Sequence, residues 1–168
     1  MIMHAGLIAR RAAGAWRGVL IEGPSGSGKS DLALRALGAG WTLVADDRTL
    51  VWADAGRLWG RAPDPLDGMI EARGLGVLSA HRLAFSEIVL AVRCAPADSI
   101  ARMPEPQAWS ALGITLPLVA LAPLEESALA KLARVFAVLD SFGNRRIKRP
   151  APSGGTPDAG GVPLRLPK

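Results

Sequence analysis

The sequence predicts an α/β fold: a P-loop domain with a mixed, strand-rich sheet. The stretch Gly23–Ser30 reads G-P-S-G-S-G-K-S and fits the phosphate-binding pattern G-x-x-x-x-G-K-[ST] at every fixed position. Between residues 40 and 80 hairpin signals dominate and helix signals are sparse. That balance argues against an evenly alternating, doubly wound parallel sheet.

Length and charge indicate one folded domain followed by a basic end. The last 25 residues, 144–168, hold six basic residues and one acidic residue, so residues 1–143 are formally neutral. A neutral body is not expected to bind nucleic acid. We therefore predict a folded domain over 1–143 and a basic, Pro/Gly-rich disordered tail over 144–168, which cannot bury enough apolar surface to order itself. A solubilising end is the simpler role for that tail than binding to acidic partners.

Cysteine content and hydropathy indicate the compartment. The chain has 168 residues and one cysteine, Cys94, which excludes an internal disulfide framework. The sequence has no uninterrupted apolar run of the ~20 residues that a membrane helix needs. We expect a cytoplasmic protein without a membrane partner, in which Cys94 is a small core residue.

The elements around the P-loop follow from apolar patterning. A first strand is predicted over Met3–Ala9, and the short apolar run Gly18–Glu22 leads directly into the P-loop. The helix Asp31–Leu37 follows and is expected to end at Gly38 or Gly40.

The remaining elements are predicted from the same signals. They are a buried strand at Trp41–Ala45, a hairpin around Asp54-Ala55-Gly56, an apolar segment interrupted by charge and glycine at Ile70–Leu78, a strand at Ile88–Val92, an edge strand at Ile114–Leu118, and a helix over Pro123–Leu139 that stops near Gly143.

The P-loop residues have distinct physical roles. Glycines let backbone N–H groups converge on an anion, and the N-terminus of the following helix adds the positive end of its dipole. Lys29 can reach the β- and γ-phosphates of a nucleotide, and the Ser30 hydroxyl can ligate Mg²⁺. The predicted nucleotide-binding residues are Gly23, Pro24, Ser25, Gly26, Ser27, Gly28, Lys29 and Ser30.

Two acidic positions are candidates for chemistry at the end of a strand. Asp46 and Asp47 follow the strand Trp41–Ala45, which we expect to lie next to the P-loop strand, and α/β sites collect at the carboxyl ends of strands. An ordinary turn with a capping aspartate is the alternative for any such pair. Asp140 also follows an apolar run, but that run has helical periodicity, so we assign Asp140 to a helix end.

A second constellation is Glu71-Ala72-Arg73 before Gly74. Two residues apart in a strand, Glu71 and Arg73 point to the same side, where the acid could face a metal and the arginine a phosphate. A surface ion pair beside a glycine turn remains an equal alternative. The two histidines, His4 and His81, are too few for an obvious zinc site.

Three ordered motifs together resemble the catalytic domain of bacterial HPr kinase/phosphorylase. They are G-x-S-G-x-G-K-S at Gly23–Ser30, L-x-A-D-D-R at Leu43–Arg48, and I-E-x-R-G-L-G at Ile70–Gly76. The start His4-Ala5-Gly6 is similar to the family's histidine-initiated first strand. The resemblance covers roughly residues 4–142.

The resemblance implies a fold related to the nucleotide-binding part of phosphoenolpyruvate carboxykinase. It implies ATP- and Mg²⁺-dependent phosphorylation of a serine in the phosphocarrier HPr, with the reverse phosphorolysis by inorganic phosphate. It also implies a homo-oligomer, a hexamer in the family. The short chain is similar to the alphaproteobacterial form that lacks an N-terminal regulatory domain.

Roles are implied residue by residue. Lys29 would hold the β- and γ-phosphates, while Ser30 and Glu71 would ligate Mg²⁺. Asp46 would accept the serine proton in the kinase direction and return it in the reverse direction, with Asp47 as a supporting carboxylate.

The resemblance also concerns two further residues and one loop. His4 would contact phosphate, and Arg73 would help to neutralise developing charge. The late loop Ala120–Glu125 lacks the arginine that the family usually places there. A P-loop kinase of a small metabolite and a nucleotide-binding sensor remain the alternative functions.

Overall fold

A computed structural model describes residues 1–146. The predicted tail lies outside the described residues beyond Arg146. The strands are β1 (Ile2–Met3), β2 (Ala5–Ala12), β3 (Ala15–Glu22), β4 (Thr42–Ala45), β5 (Thr49–Asp54), β6 (Arg57–Arg61), β7 (Met69–Ala72), β8 (Gly76–Ser79), β9 (Ser86–Cys94), β10 (Gln107–Ala111) and β11 (Ile114–Leu121). The helices are α1 (Lys29–Gly38) and α2 (Ala128–Arg146), with short 3₁₀ turns at Asp64–Leu66 and Ala97–Ser99.

The main sheet of the described chain has nine strands and mixed directions, as predicted. Seven strands follow in the order β1-β5-β6-β9-β3-β2-β4. One edge of β9 pairs in parallel with β3. Its other edge pairs antiparallel with β6 near the start of the strand and parallel with β11 near the end, and β10 pairs antiparallel with β11. β7 and β8 form a separate hairpin.

The two faces of the sheet bury separate cores. On β2 the alternation is direct, because Ile8 packs with the helices while Leu7 packs on the opposite face. The helix side contains Leu32 of α1 and Leu132 of α2, both about 1% exposed or less. Each such leucine contributes roughly 1.5–3 kcal/mol by leaving water.

The opposite face is covered by the sheet itself, which curls. Leu7 on β2 lies over Gly60 on β6, although these strands are not paired, and a Cβ at Gly60 would stand 2.6 Å from Leu7 Cδ2. A side chain would overfill this position. The β5–β6 hairpin thereby covers the core beneath β2.

Tight hairpin turns come from residue pairs that end in glycine. Ala55-Gly56 joins β5 to β6 with φ angles of 46° and 72°, and Leu112-Gly113 joins β10 to β11 with φ angles of 50° and 76°. Positive φ at both central positions is the type I′ geometry that matches the twist of paired strands. The hairpin predicted at residues 54–56 is confirmed.

Two sequence-based expectations need correction, and one strand was not predicted. The helix α2 does not stop at Gly143 but continues to Arg146, because one glycine costs a helix only about 1 kcal/mol. The strand predicted at the edge, β11, joins β10 to β9. Its pairing with β9 begins at Leu118, one residue after Pro117, so the missing proline N–H removes no bond from that pairing. The strand that was not predicted is β10, because the prolines before it, Pro104 and Pro106, favour a loop.

Within the described residues, neither helix has the combined length and hydropathy of a membrane span.

Candidate active site

The P-loop connects β3 to α1 at one edge of the sheet. Gly28 precedes the helix in a left-handed conformation, with φ 93°, and a Cβ there would stand 3.1 Å from Pro123 and Leu124. At Gly23 a Cβ would stand 2.8 Å from both the Cys94 Cβ and the Ser27 Oγ. These close approaches explain why glycine is needed at both positions.

Lys29 lies at the mouth of this loop. Its side chain is buried, and Nζ donates to the carbonyl oxygens of Gly23 at 3.0 Å and Pro24 at 2.9 Å. An ammonium group has three protons, so these two bonds hold it in place and leave one donor for a phosphate oxygen.

Asp46 directly follows β4, and its side chain links this strand to two other elements by hydrogen bonds. It is 5% exposed; Oδ1 accepts a hydrogen bond from the Ser30 hydroxyl at 2.9 Å, and Oδ2 accepts one from the Glu71 backbone N–H at 2.9 Å. Both carboxylate oxygens are therefore engaged in positioning the start of α1 and the strand β7.

The route by which Asp46 reaches the P-loop differs from the expectation. We expected its strand to lie next to the P-loop strand, but β2 separates β4 from β3. Both pairings of β2 are antiparallel, so β3 and β4 run in the same direction and end at the same edge. Because the strand direction reverses twice between them, the ends of β3 and β4 lie at the same side of the sheet, as they would if the two strands were parallel neighbours.

Asp47 occupies a tight turn, and its side chain contacts His4 instead of the partners of Asp46. Its φ is 61°, and the Arg48 N–H donates to the Asp46 carbonyl at 2.6 Å. A non-glycine residue with positive φ is uncommon, although aspartate tolerates it better than most, and such strain concentrates at functional sites. Asp47 Oδ1 lies 2.6 Å from His4 Nε2, and both side chains are about half exposed, at 57% and 52%.

A cavity of about 340 Å³ brings most of the predicted residues together. Its lining includes the P-loop residues Ser25, Gly26 and Gly28 and six of the predicted chemical residues: His4, Lys29, Ser30, Asp47, Glu71 and Arg73. Asp46 does not line it. Pro24 and Ser27 line a neighbouring cavity instead.

Glu71 and Arg73 reach the cavity from slightly different backbone settings. Glu71 lies in β7, whereas that strand ends at Ala72 and Arg73 begins the turn to β8. Both residues line the same cavity, as expected if their side chains point to the same side. Five lining residues were not predicted: Asp31 and Leu34 of α1, Ala72 of β7, Leu75 in the same turn and Leu124 after β11. Nothing in the local sequence distinguishes the three leucines from core leucines.

The donor set fits a magnesium ion bound together with phosphates. The Ser30 hydroxyl gives its proton to Asp46, which leaves its lone pairs free for a cation, and the Glu71 carboxylate lines the same cavity. Mg²⁺ is usually held by one or two protein oxygens, substrate phosphates and water rather than by a protein cage. The described residues contain no cluster of three or more His, Cys, Asp or Glu side chains suited to a metal.

The loop after β11 is held over the P-loop by α1. The Arg35 guanidinium donates to the backbone carbonyl of Pro123 and, at 3.5 Å, to that of Glu125. Its Nε also donates to Asp31 at 2.9 Å. The loop has no arginine of its own, and this helix arginine places Leu124 beside Gly28.

Comparison with known proteins finds relatives in sequence and in fold. Residues 12–91 match the family model described as HPr Serine kinase C-terminal domain. An HPr kinase/phosphorylase of Streptococcus thermophilus is 48% identical over 67 residues, which is 39% of this chain and 22% of that protein. One from Limosilactobacillus reuteri is 37% identical over 94 residues, covering 55% of this chain and 28% of the relative. The matched segments thus span about a quarter of these relatives.

A solved structure supports the same fold. The Hpr(Ser) kinase/phosphatase from Coxiella burnetii superposes with a TM-score of 0.67 at 23% identity, covering 82% of this chain and 99% of that chain. The mixed, strand-rich P-loop fold is therefore confirmed. Together these findings confirm the resemblance drawn from the three motifs: the chain resembles the catalytic domain of HPr kinase/phosphorylase, with residues 12–91 matching the family's C-terminal domain.

Proposed function

We propose that this chain is an ATP- and Mg²⁺-dependent protein-serine kinase that phosphorylates an HPr-type phosphocarrier and also catalyses the reverse phosphorolysis. The observation that carries the proposal is the cavity itself. Lys29 and Ser30 lie on its P-loop side, and Asp47, Glu71 and Arg73 line the same space. This set matches the needs of phosphoryl transfer, which are charge neutralisation, positioning and a proton acceptor.

The geometry favours Asp47 over Asp46 as the proton acceptor. Asp47 lines the cavity and is about half exposed, so a protein serine can approach it. Asp46 is buried with both oxygens occupied by internal donors. A general base must lie within hydrogen-bond reach of the proton that it takes, and of the two aspartates Asp47 is the one that lines the cavity.

His4 supports this role through its contact with Asp47 at 2.6 Å. With its Nε2 protonated, the imidazole donates to Asp47 Oδ1 and holds the carboxylate beside the cavity that both residues line. In the forward direction the serine oxygen forms a bond to the γ-phosphorus, the bond from that phosphorus to the β–γ bridging oxygen breaks, and ADP leaves. The serine proton passes to Asp47.

The other residues of the cavity act on charge. Lys29 and Arg73 neutralise phosphate oxygens as negative charge shifts during transfer. When bound through Ser30 and Glu71, Mg²⁺ would supply further neutralisation on the phosphates. In the reverse direction, an oxygen of inorganic phosphate forms a bond to the phosphorus of phosphoserine, the bond from that phosphorus to the serine oxygen breaks, and pyrophosphate leaves. Asp47 returns the proton to the serine oxygen.

The decisive test is transfer of labelled γ-phosphate from ATP to purified HPr. We expect label on an HPr serine with the wild-type chain, a loss of about 10²-fold or more with Asp47→Asn, and retained ATP binding by that variant. Asp54→Asn is the matched control, since Asp54 is an exposed aspartate on β5 away from the cavity.

Other outcomes separate the alternatives. ATP binding by the wild type without label on HPr would contradict the proposal and favour a metabolite kinase or a nucleotide sensor. Full activity in Asp47→Asn with loss in a folded Asp46→Asn variant would return the proton-acceptor role to Asp46.

A further inference from the structure

A second cavity, of about 580 Å³, lies directly beside the P-loop. Three chain segments form it: P-loop residues 24–27, residues 94–97 after β9, and residues 122–125 after β11. The strands β3, β9 and β11 are neighbours and run parallel, so all three segments emerge at the same edge of the sheet. Ligands of α/β proteins bind at such carboxyl ends.

The walls of this cavity are mostly apolar. They consist largely of proline, alanine and leucine side chains, with the buried Cys94 at the base. Burial raises the pKa of the Cys94 thiol by more than the Ser27 hydroxyl and Lys29 lower it, so the thiol is neutral near pH 7. A cavity of this size and character is typical of a small-molecule site.

The charged residue among those lining it, Glu125, does not make the cavity acidic. Its carboxylate lies 2.5 Å from Lys131 Nζ, and that hydrogen-bonded ion pair lowers the pKa of Glu125. The pair cancels the local charge. The cavity is therefore unsuited to a second anion and suited to an uncharged, flat group.

The two cavities share a boundary. Ser25, Gly26 and Leu124 line both of them. A ligand whose phosphates occupy the P-loop can therefore extend past Leu124 into the apolar cavity. Arg35 fixes the backbone on either side of Leu124 and so sets the width of this passage.

We propose that this second cavity binds the nucleobase and ribose of the nucleoside triphosphate, so that residues 94–97 and 122–125 provide affinity that the P-loop alone does not. The inference rests on the proposed function, because it needs a triphosphate at Lys29. It adds a base-binding site where the sequence motifs identify only phosphate contacts. Recognition is by apolar contact with the faces of the base.

The test compares ATP with inorganic tripolyphosphate by calorimetry on the full chain at one fixed Mg²⁺ concentration. Both ligands offer a chain of three phosphates, but tripolyphosphate has no base or ribose. We expect ATP to bind at least about tenfold more tightly. Equal affinity of the two ligands would overturn the base site and leave the phosphate site intact, whereas binding of neither would overturn both the base site and the proposed function.

A substitution on the rim of the second cavity tests whether this cavity causes the difference in affinity between ATP and tripolyphosphate. Ala97 is an exposed residue on the rim of the cavity, and Ala97→Leu adds bulk where the base would enter. We expect ATP affinity to fall about fivefold or more and tripolyphosphate affinity to stay within about twofold. Ala101→Leu is the matched control, because Ala101 is exposed and does not line the cavity. An unchanged ATP affinity in Ala97→Leu, or an equal loss in both variants, would overturn the assignment.

Discussion

Removal of the Asp46 carboxylate is expected to destabilise the fold substantially. Asp46→Ala deletes the acceptor of two hydrogen bonds of 2.9 Å, from the Ser30 hydroxyl and from the Glu71 backbone N–H. Asp46 is 5% exposed, so water does not readily replace these bonds. A bond to a charged group contributes about 1.5–3 kcal/mol, and an unsatisfied buried donor costs about 1–3 kcal/mol.

For two such bonds the expected loss in the free energy of unfolding is therefore about 3–6 kcal/mol in total. A domain of this size loses about 2–4 °C in Tm for each kcal/mol, so Tm should fall by roughly 6–24 °C. Urea unfolding followed by tryptophan fluorescence measures the free energy directly. Circular dichroism during heating gives the Tm.

Asp47→Asn is the comparison variant, because asparagine also tolerates the positive φ of this position. It removes the charge from one contact, to a half-exposed histidine, and exposed pairs of this kind contribute about 0–1 kcal/mol. We expect Asp46→Ala to be the less stable variant by at least about 1 kcal/mol. Equal destabilisation of the two variants, or a loss under about 1 kcal/mol for Asp46→Ala, would refute the view that Asp46 is a structural tie.

Two further predictions concern packing and thiol reactivity. Gly60→Ala should destabilise the domain by about 1–3 kcal/mol in urea unfolding, because its methyl group would overlap Leu7. Gly38→Ala should stabilise it by about 0.4–1 kcal/mol, since that position has free space and an ordinary φ. The opposite order of stability would contradict the packing described. Alkylation of Cys94 by iodoacetamide should be slow and should keep accelerating above the ordinary thiol pKa of 9.0, because burial raises the Cys94 pKa and only the thiolate reacts. A rate that levels off below that pH would count against the buried environment.

Local sequence was sufficient for features that depend on a few adjacent residues. The pattern Gly23–Ser30 predicts a phosphate loop because glycine spacing, a lysine and a helix start lie together in the chain. Ala55-Gly56 predicts a hairpin for the same reason, since the turn depends on the φ angles that two residues can adopt. The strand end at Asp46 and Asp47 was also predicted correctly as an element boundary.

Tertiary structure decided which chemical groups share a space. Nothing in the pair Asp46-Asp47 tells which carboxylate faces the cavity, because that depends on a left-handed turn and on donors from Ser30 and Glu71, 16 and 25 residues away. The position of β2 between β3 and β4 likewise follows from long-range strand pairing. Such pairing is selected by burial over the whole sheet rather than by any short segment.

The cavity beside the P-loop is the clearest case of this division. Its three segments are separated by about 70 and 30 residues in the chain, and the two outside the P-loop, Cys94–Ala97 and Ala122–Glu125, are short runs rich in Ala and Pro that carry no recognisable motif. They meet because β3, β9 and β11 are parallel neighbours. The sequence by itself determined the phosphate-loop motif and the residues that form it, since that pattern is local; only the tertiary structure decided what lies beside the loop, since that follows from the order of strands in the sheet.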